Sequence, residues 1–411
     1  MAVRVLLVVA FLAAASMCAR ETPVAERAQR LLEDGKAAQA LELISEGLRA
    51  NPHDWRLHDL KVEALLGAQR ADEALQAYAE RWARGGPERP DLFRRVAVAL
   101  LRDGLRSPDG LLRNRAAAAL VALRAPEMLP VAREALLSSD AVVRALVVEG
   151  LGDVPGPEPL ELIRQAARDS QPEVRAAAAA ALGARRDAGL RPDLARLAAD
   201  KNPRVRLRAA FGVARLGEPS GLKILVRFLS HRNDSVRMQA AEAVGHLGDR
   251  RAVPAVERLL ADGNPYVRVY AAEALARLGH PAGRRRLERA LRHPHRSVAM
   301  YAAEAFSNLG EAAGTPRLIQ ALDPDEDTST RLYAVWTLAR LGDLRGRPVV
   351  EELLQHREMQ VRLQAAWTFG EMPEPSASSF LRRAVLDEAP QVRWQAAWAL
   401  ARQYAGGVSG S

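Results

Sequence analysis

The sequence predicts an all-α protein, an α-solenoid of stacked antiparallel helix pairs. Three observations carry the prediction. Two internal periods run through the chain. Alanine dominates the apolar set and aromatics are only 5%, which suits close-packed helices. Proline or aspartate before each apolar-periodic segment and glycine after it mark helix starts and stops at regular intervals.

The first eighteen residues stand apart from the rest. "MAVRVLLVVAFLAAASMC" carries Arg4 and then an apolar run from Val5 to Ala15. Such a run is too short for a permanent membrane helix and has the form of a secretory signal peptide. Cys18, the single cysteine, lies just past it, where bacterial lipoproteins carry the acylated cysteine. Ala15-Ser16-Met17-Cys18 resembles a lipobox, with Met17 departing from the usual small residue. The alternatives are cleavage after Ala15 or Ser16 without acylation, and a cytosolic protein with an apolar start. One cysteine forms no internal disulfide, and no Cys/His zinc spacing exists.

Residues 22–104 carry the first period. Ala40 and Ala74 lie 34 residues apart, in "QALELISEGL" and "EALQAYAERW". The same offset relates Ala28, Val62 and Val96, and Leu31, Leu65 and Ala99. "LEDGKAAQALELISEGLRANPHD" resembles a tetratricopeptide repeat, with Gly35, Ala40 and Pro52 at family positions. The usual Trp and Tyr of that family's first helix are missing. Two such repeats, 22–88, and a junction helix around 90–103 are expected.

Residues 105–405 carry the second period. An arginine after an apolar residue recurs at Arg113, Arg144, Arg175, Arg206, Arg237 and Arg268, 31 residues apart each time. Ala299 takes the next place, and Arg331, Arg362 and Arg393 follow after one inserted residue. Ten repeats result. Pro172, Pro203, Asp234, Pro265 and Pro390 start units, and Gly217, Gly248, Gly279, Gly310 and Gly342 break them. "DSVRMQAAEAVGHLGDRRAVPAVERLLAD" resembles the short HEAT-like repeats of phycobilin lyases. The resemblance implies a solenoid whose marker helices line the concave side. The remaining segment, 406–411 "GGVSGS", reads as a disordered tail.

The letters that vary are the informative ones. Counting each marker arginine as zero, the core face holds offsets −1, +3, +7 and +10. Offsets +2, +5 and +9 form the opposite stripe. That stripe is bland early, as in Arg115/Ala118. It becomes Gln239/Glu242/His246, Tyr270/Glu273/Arg277 and Tyr301/Glu304/Asn308. It ends Tyr333/Trp336/Arg340, Gln364/Trp367/Glu371 and Gln395/Trp398/Arg402. Trp336, Trp367 and Trp398 share one register, Tyr270, Tyr301 and Tyr333 another, and Glu242, Glu273 and Glu304 a third. The bland explanation packs these rings into the core. The functional one is a partner-binding groove in which aromatics supply area and charges orient the partner. The marker arginines read as structural, with Asp140, Asp169, Asp200 and Asp262 as partners near the inter-repeat turns.

No enzyme chemistry is legible. Iron hydroxylases of similar repeats carry His-Glu pairs where this chain has Met238-Gln239, Val269-Tyr270 and Met300-Tyr301. "DPDEDTST" (323–330) spaces acids like a calcium loop but lacks its glycine and final glutamate. It reads instead as a helix cap. His293 and His295 read as loop histidines. No cofactor and no metal site is expected. The formal net charge of +9 and the basic "RRRLERALRHPHR" (284–296) admit anionic lipid or an acidic partner. A nucleic-acid-binding array is a third-rank alternative. The sequence therefore points to a non-enzymatic, exported scaffold of the bacterial envelope, in periplasm or outer membrane. It would bind a protein or peptide through the concave groove and reach the membrane through Cys18. The alternative is a lyase-like or chaperone-like helper holding a small aromatic ligand in the Tyr/Trp groove.

Overall fold

A computed structural model describes residues 23–122, 129–372 and 378–406. The expected signal segment with Cys18 and the tail after Gly406 lie outside them. Every regular element among the described residues is helical. None of these helices is long and apolar enough to cross a membrane. The chain divides into two compact units between Leu100 and Leu101.

The first unit holds helices Val24–Glu33, Ala37–Ala50, Trp55–Gly67 and Ala71–Ala83, and the first part of Pro90–Leu105. Of the residues related by the 34-residue offset, Ala28, Ala40, Val62, Ala74, Val96 and Leu65 are buried, while Leu31 and Ala99 are half-buried. Arg81 is buried too, its Nε 2.7 Å from Asp59, and its Nη1 donates to the Pro87 carbonyl. The Tyr78 hydroxyl bonds both the carbonyl and the amide of Arg89. These contacts fix the irregular stretch that leads into the helix at Pro90.

The second unit is the 31-residue array. Marker helices begin where the sequence places their starts, as in Pro172–Ala184, Pro203–Arg215, Asp234–Leu247, Pro265–Arg277 and Pro390–Gly406. Each of the first nine is followed by a second helix, for example Pro219–Phe228 or Pro281–Ala290. The tenth repeat consists of its marker helix alone among the described residues. Asn202, Asn233 and Asn264 cap their helices by accepting a hydrogen bond from the first turn, which satisfies otherwise orphaned N–H groups. Gly248 closes its helix at φ +75°, a left-handed conformation that costs other residues a Cβ clash. "DPDEDTST" caps as expected: Asp327 accepts from the Thr330 amide at 3.0 Å.

The marker arginines stitch consecutive repeats. Arg144 grips Asp169 with Nε and Nη2 at 2.9 Å each. Arg175 does the same to Asp200 (2.7 and 3.1 Å), Arg237 to Asp262 (2.8 and 2.9 Å) and Arg362 to Asp387 (2.7 and 3.0 Å). In each pair the aspartate lies 25 residues after the arginine. The remaining Nη1 donates to a carbonyl in the arginine's own turn, as Arg175 does to Asp169 at 2.8 Å. Asp169 thus receives Arg144 on its carboxylate and Arg175 on its backbone, so the bonds run on from repeat to repeat. The Arg175 fork holds Asp200 below the usual carboxylate range, against the opposing effect of burial. Arg113 reaches Asp140 at 3.3 Å and Arg331 takes Glu352 at 2.9 Å. Asp140, Asp169, Asp200 and Asp262 are therefore the ladder partners that the sequence suggests.

The array closes on itself. The last helix, Pro390–Gly406, packs on the first marker helix, Gly110–Ala122. The Trp398 indole donates to the Ala119 carbonyl at 3.0 Å, and Arg115 Nη1 reaches the Gln395 side-chain oxygen at 3.3 Å. Trp394 lies against Gly104, where an added Cβ would come within 3.3 Å of its ring.

Candidate functional site

Helical geometry puts offsets +2 and +5 of each marker helix on one face, and the curvature of the array turns those faces toward one another. Arg115 from the first repeat and Trp367 from the ninth consequently line one groove of 610 Å³, with Tyr270, Tyr301, Glu304, Tyr333 and Trp336 between them. A second hollow of 240 Å³ adjoins it, lined by Glu242, His246, Glu273, Arg277, Asn308 and Arg340. Tyr270, Tyr301 and Glu304 border both.

The aromatic rings form a continuous track. Tyr270 and Tyr301 lie 6.4 Å apart, Tyr301 and Tyr333 6.3 Å, and Tyr333 and Trp336 6.0 Å. Trp336 and Trp367 are stacked, 6.4 Å apart with an interplanar angle of 29°. Arg340 lies over the other part of this track, 4.8 Å from the centre of the Trp336 ring, a cation–π contact. Trp367 is 37% exposed and Tyr301 36%. Rings so open contribute little to a core, and they are the ones a partner can cover.

The polar groups beside the track are engaged with one another. The Tyr333 hydroxyl donates to Glu304. Glu273 pairs with Arg277 at 3.0 Å, and Arg277 also donates to the Asn308 carbonyl at 2.9 Å. Burial pushes the carboxyls of Glu273 and Glu304 up from their ordinary value, partly offset by these partners. Burial and the nearby Glu304 push the Tyr270 and Tyr333 hydroxyls up as well, so both stay protonated. Burial and the Arg277 cation push His246 down, which leaves a neutral imidazole at pH 7. Arg115 differs from its neighbours. Its guanidinium faces the groove with an amide and no carboxylate, and burial pushes its pKa down.

Eight of the nine residues expected in the groove come together there: Trp336, Trp367, Tyr270, Tyr301, Tyr333, Glu242, Glu273 and Glu304. Trp398 does not. It is 4% exposed and its indole is spent on the closure, so it belongs to the core of the ring. Its register equals that of Trp336 and Trp367, but its neighbour is the first repeat instead of open space. One participant lies outside the stripe, and another lies within it without standing out. Tyr266, one turn before Tyr270, meets Tyr301 at 5.2 Å; its offset of −2 continues the same helical face. Arg115 is in the stripe, but its proximity to repeats six to nine depends on closure. Among the described residues no group of three or more His, Cys, Asp or Glu side chains could hold a metal ion.

Comparison with known proteins agrees with this architecture. No curated protein matches the chain. The complex of CpcE and CpcF of phycocyanin lyase from Nostoc sp. PCC7120 is similar at 20% identity and a TM-score of 0.38, over 59% of this chain and 92% of that one. Human deoxyhypusine hydroxylase is similar at 18% identity and a TM-score of 0.32, over 76% and 97%. An engineered protein is similar at 19% identity and a TM-score of 0.29, over 75% and 98%. These likenesses are of fold alone. HEAT repeats match residues 132–202, 190–264, 254–323 and 315–401, more than half of the sequence, so the chain belongs to the HEAT-repeat family.

Proposed function

We propose that this HEAT-repeat protein is a non-enzymatic scaffold whose groove takes an extended segment of a partner protein bearing an aromatic side chain and a carboxylate. The stacked, open Trp336–Trp367 pair carries the reading, since half-open tryptophans in a concave surface are frequent anchors of recognition. The carboxylate follows from Arg115, a half-buried cation that faces the same groove and bonds an amide oxygen instead of an acid. The groove's own acids offer less, because Glu273 and Glu304 already have partners. A groove of 610 Å³ holds a few side chains, on the scale of known ligand sites.

The test is selection from a random peptide library displayed against the purified protein. Peptides combining an aromatic and an acidic residue should be enriched. Trp336→Ala with Trp367→Ala should weaken their binding by about a hundredfold, as loss of two aromatic anchors does. The same variant should melt close to the parent. No enrichment, or equal binding by the variant, would refute the groove. A collapsed melt would return both rings to the core. A visible absorbance band in the purified protein would favour a small chromophore as occupant instead.

We also infer export to the bacterial envelope, with Cys18 as the attachment point; the support is the sequence of residues 1–18. Fractionation of cells expressing Cys18→Ser should move the protein from membrane to soluble fractions. Unchanged membrane association would sink the lipid anchor.

A further inference from the structure

The ladder of marker arginines has a vacancy. In the complete rungs an aspartate 25 residues on meets the Nε and Nη2 of the arginine. Arg206 and Arg268 instead find His231 and His293 at that place. Both histidines keep the aspartate's local role, accepting the amide two residues on with Nδ1, at 3.1 Å for His231 and 3.0 Å for His293. Neither supplies a negative charge. At Arg206 the space is closed by Phe228, whose ring centre lies 5.6 Å from the guanidinium. The matching residue two repeats later is Ala290, and there the space is open.

That opening is a cavity of 190 Å³ lined by Arg268, Arg286, Arg289, Ala290 and His293, with no aspartate or glutamate on its wall. Arg268 donates Nη1 to the carbonyls of Asp262 and Gly263 (2.7 and 3.2 Å), as its counterparts do within their own turns. The nearest ladder acid, Asp262, is held by both arms of Arg237. The carboxylate-facing edge of Arg268 is thus left without an acid, beside two further arginines.

We propose that Arg268, Arg286, Arg289 and His293 form a binding site for a phosphate group. The arginine fork accepts carboxylate or phosphate equally well in shape. Three guanidinium groups exceed the charge of a single carboxylate, and a phosphate with several acceptor oxygens answers them better. The group can belong to a soluble phosphomonoester or to the headgroup of an anionic lipid. The site stands apart from the groove argument and holds whether or not a peptide binds there.

His293→Asp provides the sharpest test, because it supplies the missing rung. That variant should melt higher than the parent in the absence of ligand. Two measurements follow the phosphate: the shift in melting temperature with inorganic phosphate at constant ionic strength, and co-sedimentation with phosphatidylglycerol vesicles. The parent should respond saturably in at least one, and the arm that responds names the source. His293→Asp should weaken that response about tenfold or more, the scale of losing charge-assisted hydrogen bonds. Ala290→Phe, which copies Phe228, should do so by filling the cavity. A parent that responds in neither arm overturns the proposal. So does a response of equal strength in the parent and both variants, which would mark general attraction to a basic surface.

Discussion

Trp398→Ala is expected to destabilise the repeat array by about 3–5 kcal/mol, the range for removing a buried large aromatic. The indole is nearly inaccessible and fills the seam between the last helix and the first marker helix. Its loss also strips the Ala119 carbonyl of its donor, at a further cost of about 1 kcal/mol or more for a buried acceptor. The effect should exceed a packing defect elsewhere, because open repeat arrays lose structure from their ends and a closed one has its ends tied. Thermal unfolding should therefore move down and broaden. Small-angle scattering should show a larger radius of gyration as the seam parts. Trp398→Phe keeps most of the bulk and should lie between the two. An unchanged radius with a modest shift in melting would mean that the remaining contacts hold the seam, and that Trp398 is ordinary core.

Gly283→Ala should cost about 3 kcal/mol, at the upper end for overpacking by one methyl. The added Cβ would sit 2.4 Å from the Ala276 amide nitrogen and 2.5 Å from the Ala272 carbonyl oxygen. Both are backbone atoms inside helix Pro265–Arg277, so no side chain can turn away. The helix Pro281–Ala290 must withdraw, and with it Arg286 and Arg289. Helix Pro265–Arg277 carries Tyr270 and Glu273, so groove binding should weaken along with stability. Gly263→Ala is the control, since a methyl there meets nothing within 4 Å. If urea denaturation places the two variants together, the close approach of these helices is softer than the geometry implies.

The fold was legible in the sequence because a solenoid repeats its grammar. Apolar positions −1, +3 and +7, the glycine breaks and the Arg–Asp rungs return with the period, and each copy corroborates the others. Tyr270, Tyr301, Tyr333, Trp336 and Trp367 could be found by asking which letters vary against that grammar. The fate of Trp398 could not. Trp336 meets Trp367 in the next repeat, whereas Trp398 meets Ala119 of the first repeat, 279 residues away. Only the accumulated rotation over all the repeats decides that contact, and no local pattern encodes it. Arg115 was hidden for the same reason. The phosphate-site arginines were visible as a basic segment, but their meaning depends on the missing carboxylate at His293 and the missing ring at Ala290. Both positions lie at fixed offsets from the marker arginine, but that they close a rung is seen only in the structure.

Closure also bears on how such a chain can change over generations. An open solenoid tolerates gain or loss of a unit by unequal duplication, because its two ends never meet. Here a unit of 31 residues added or removed would carry the helix at Pro390 past or short of Gly110. Trp398 would lose Ala119, and Arg115 would leave the groove it shares with Trp367. The number of repeats is thereby pinned, and the width of the groove with it, so new specificity must come from substitutions in the variable stripe instead of from growth of the array.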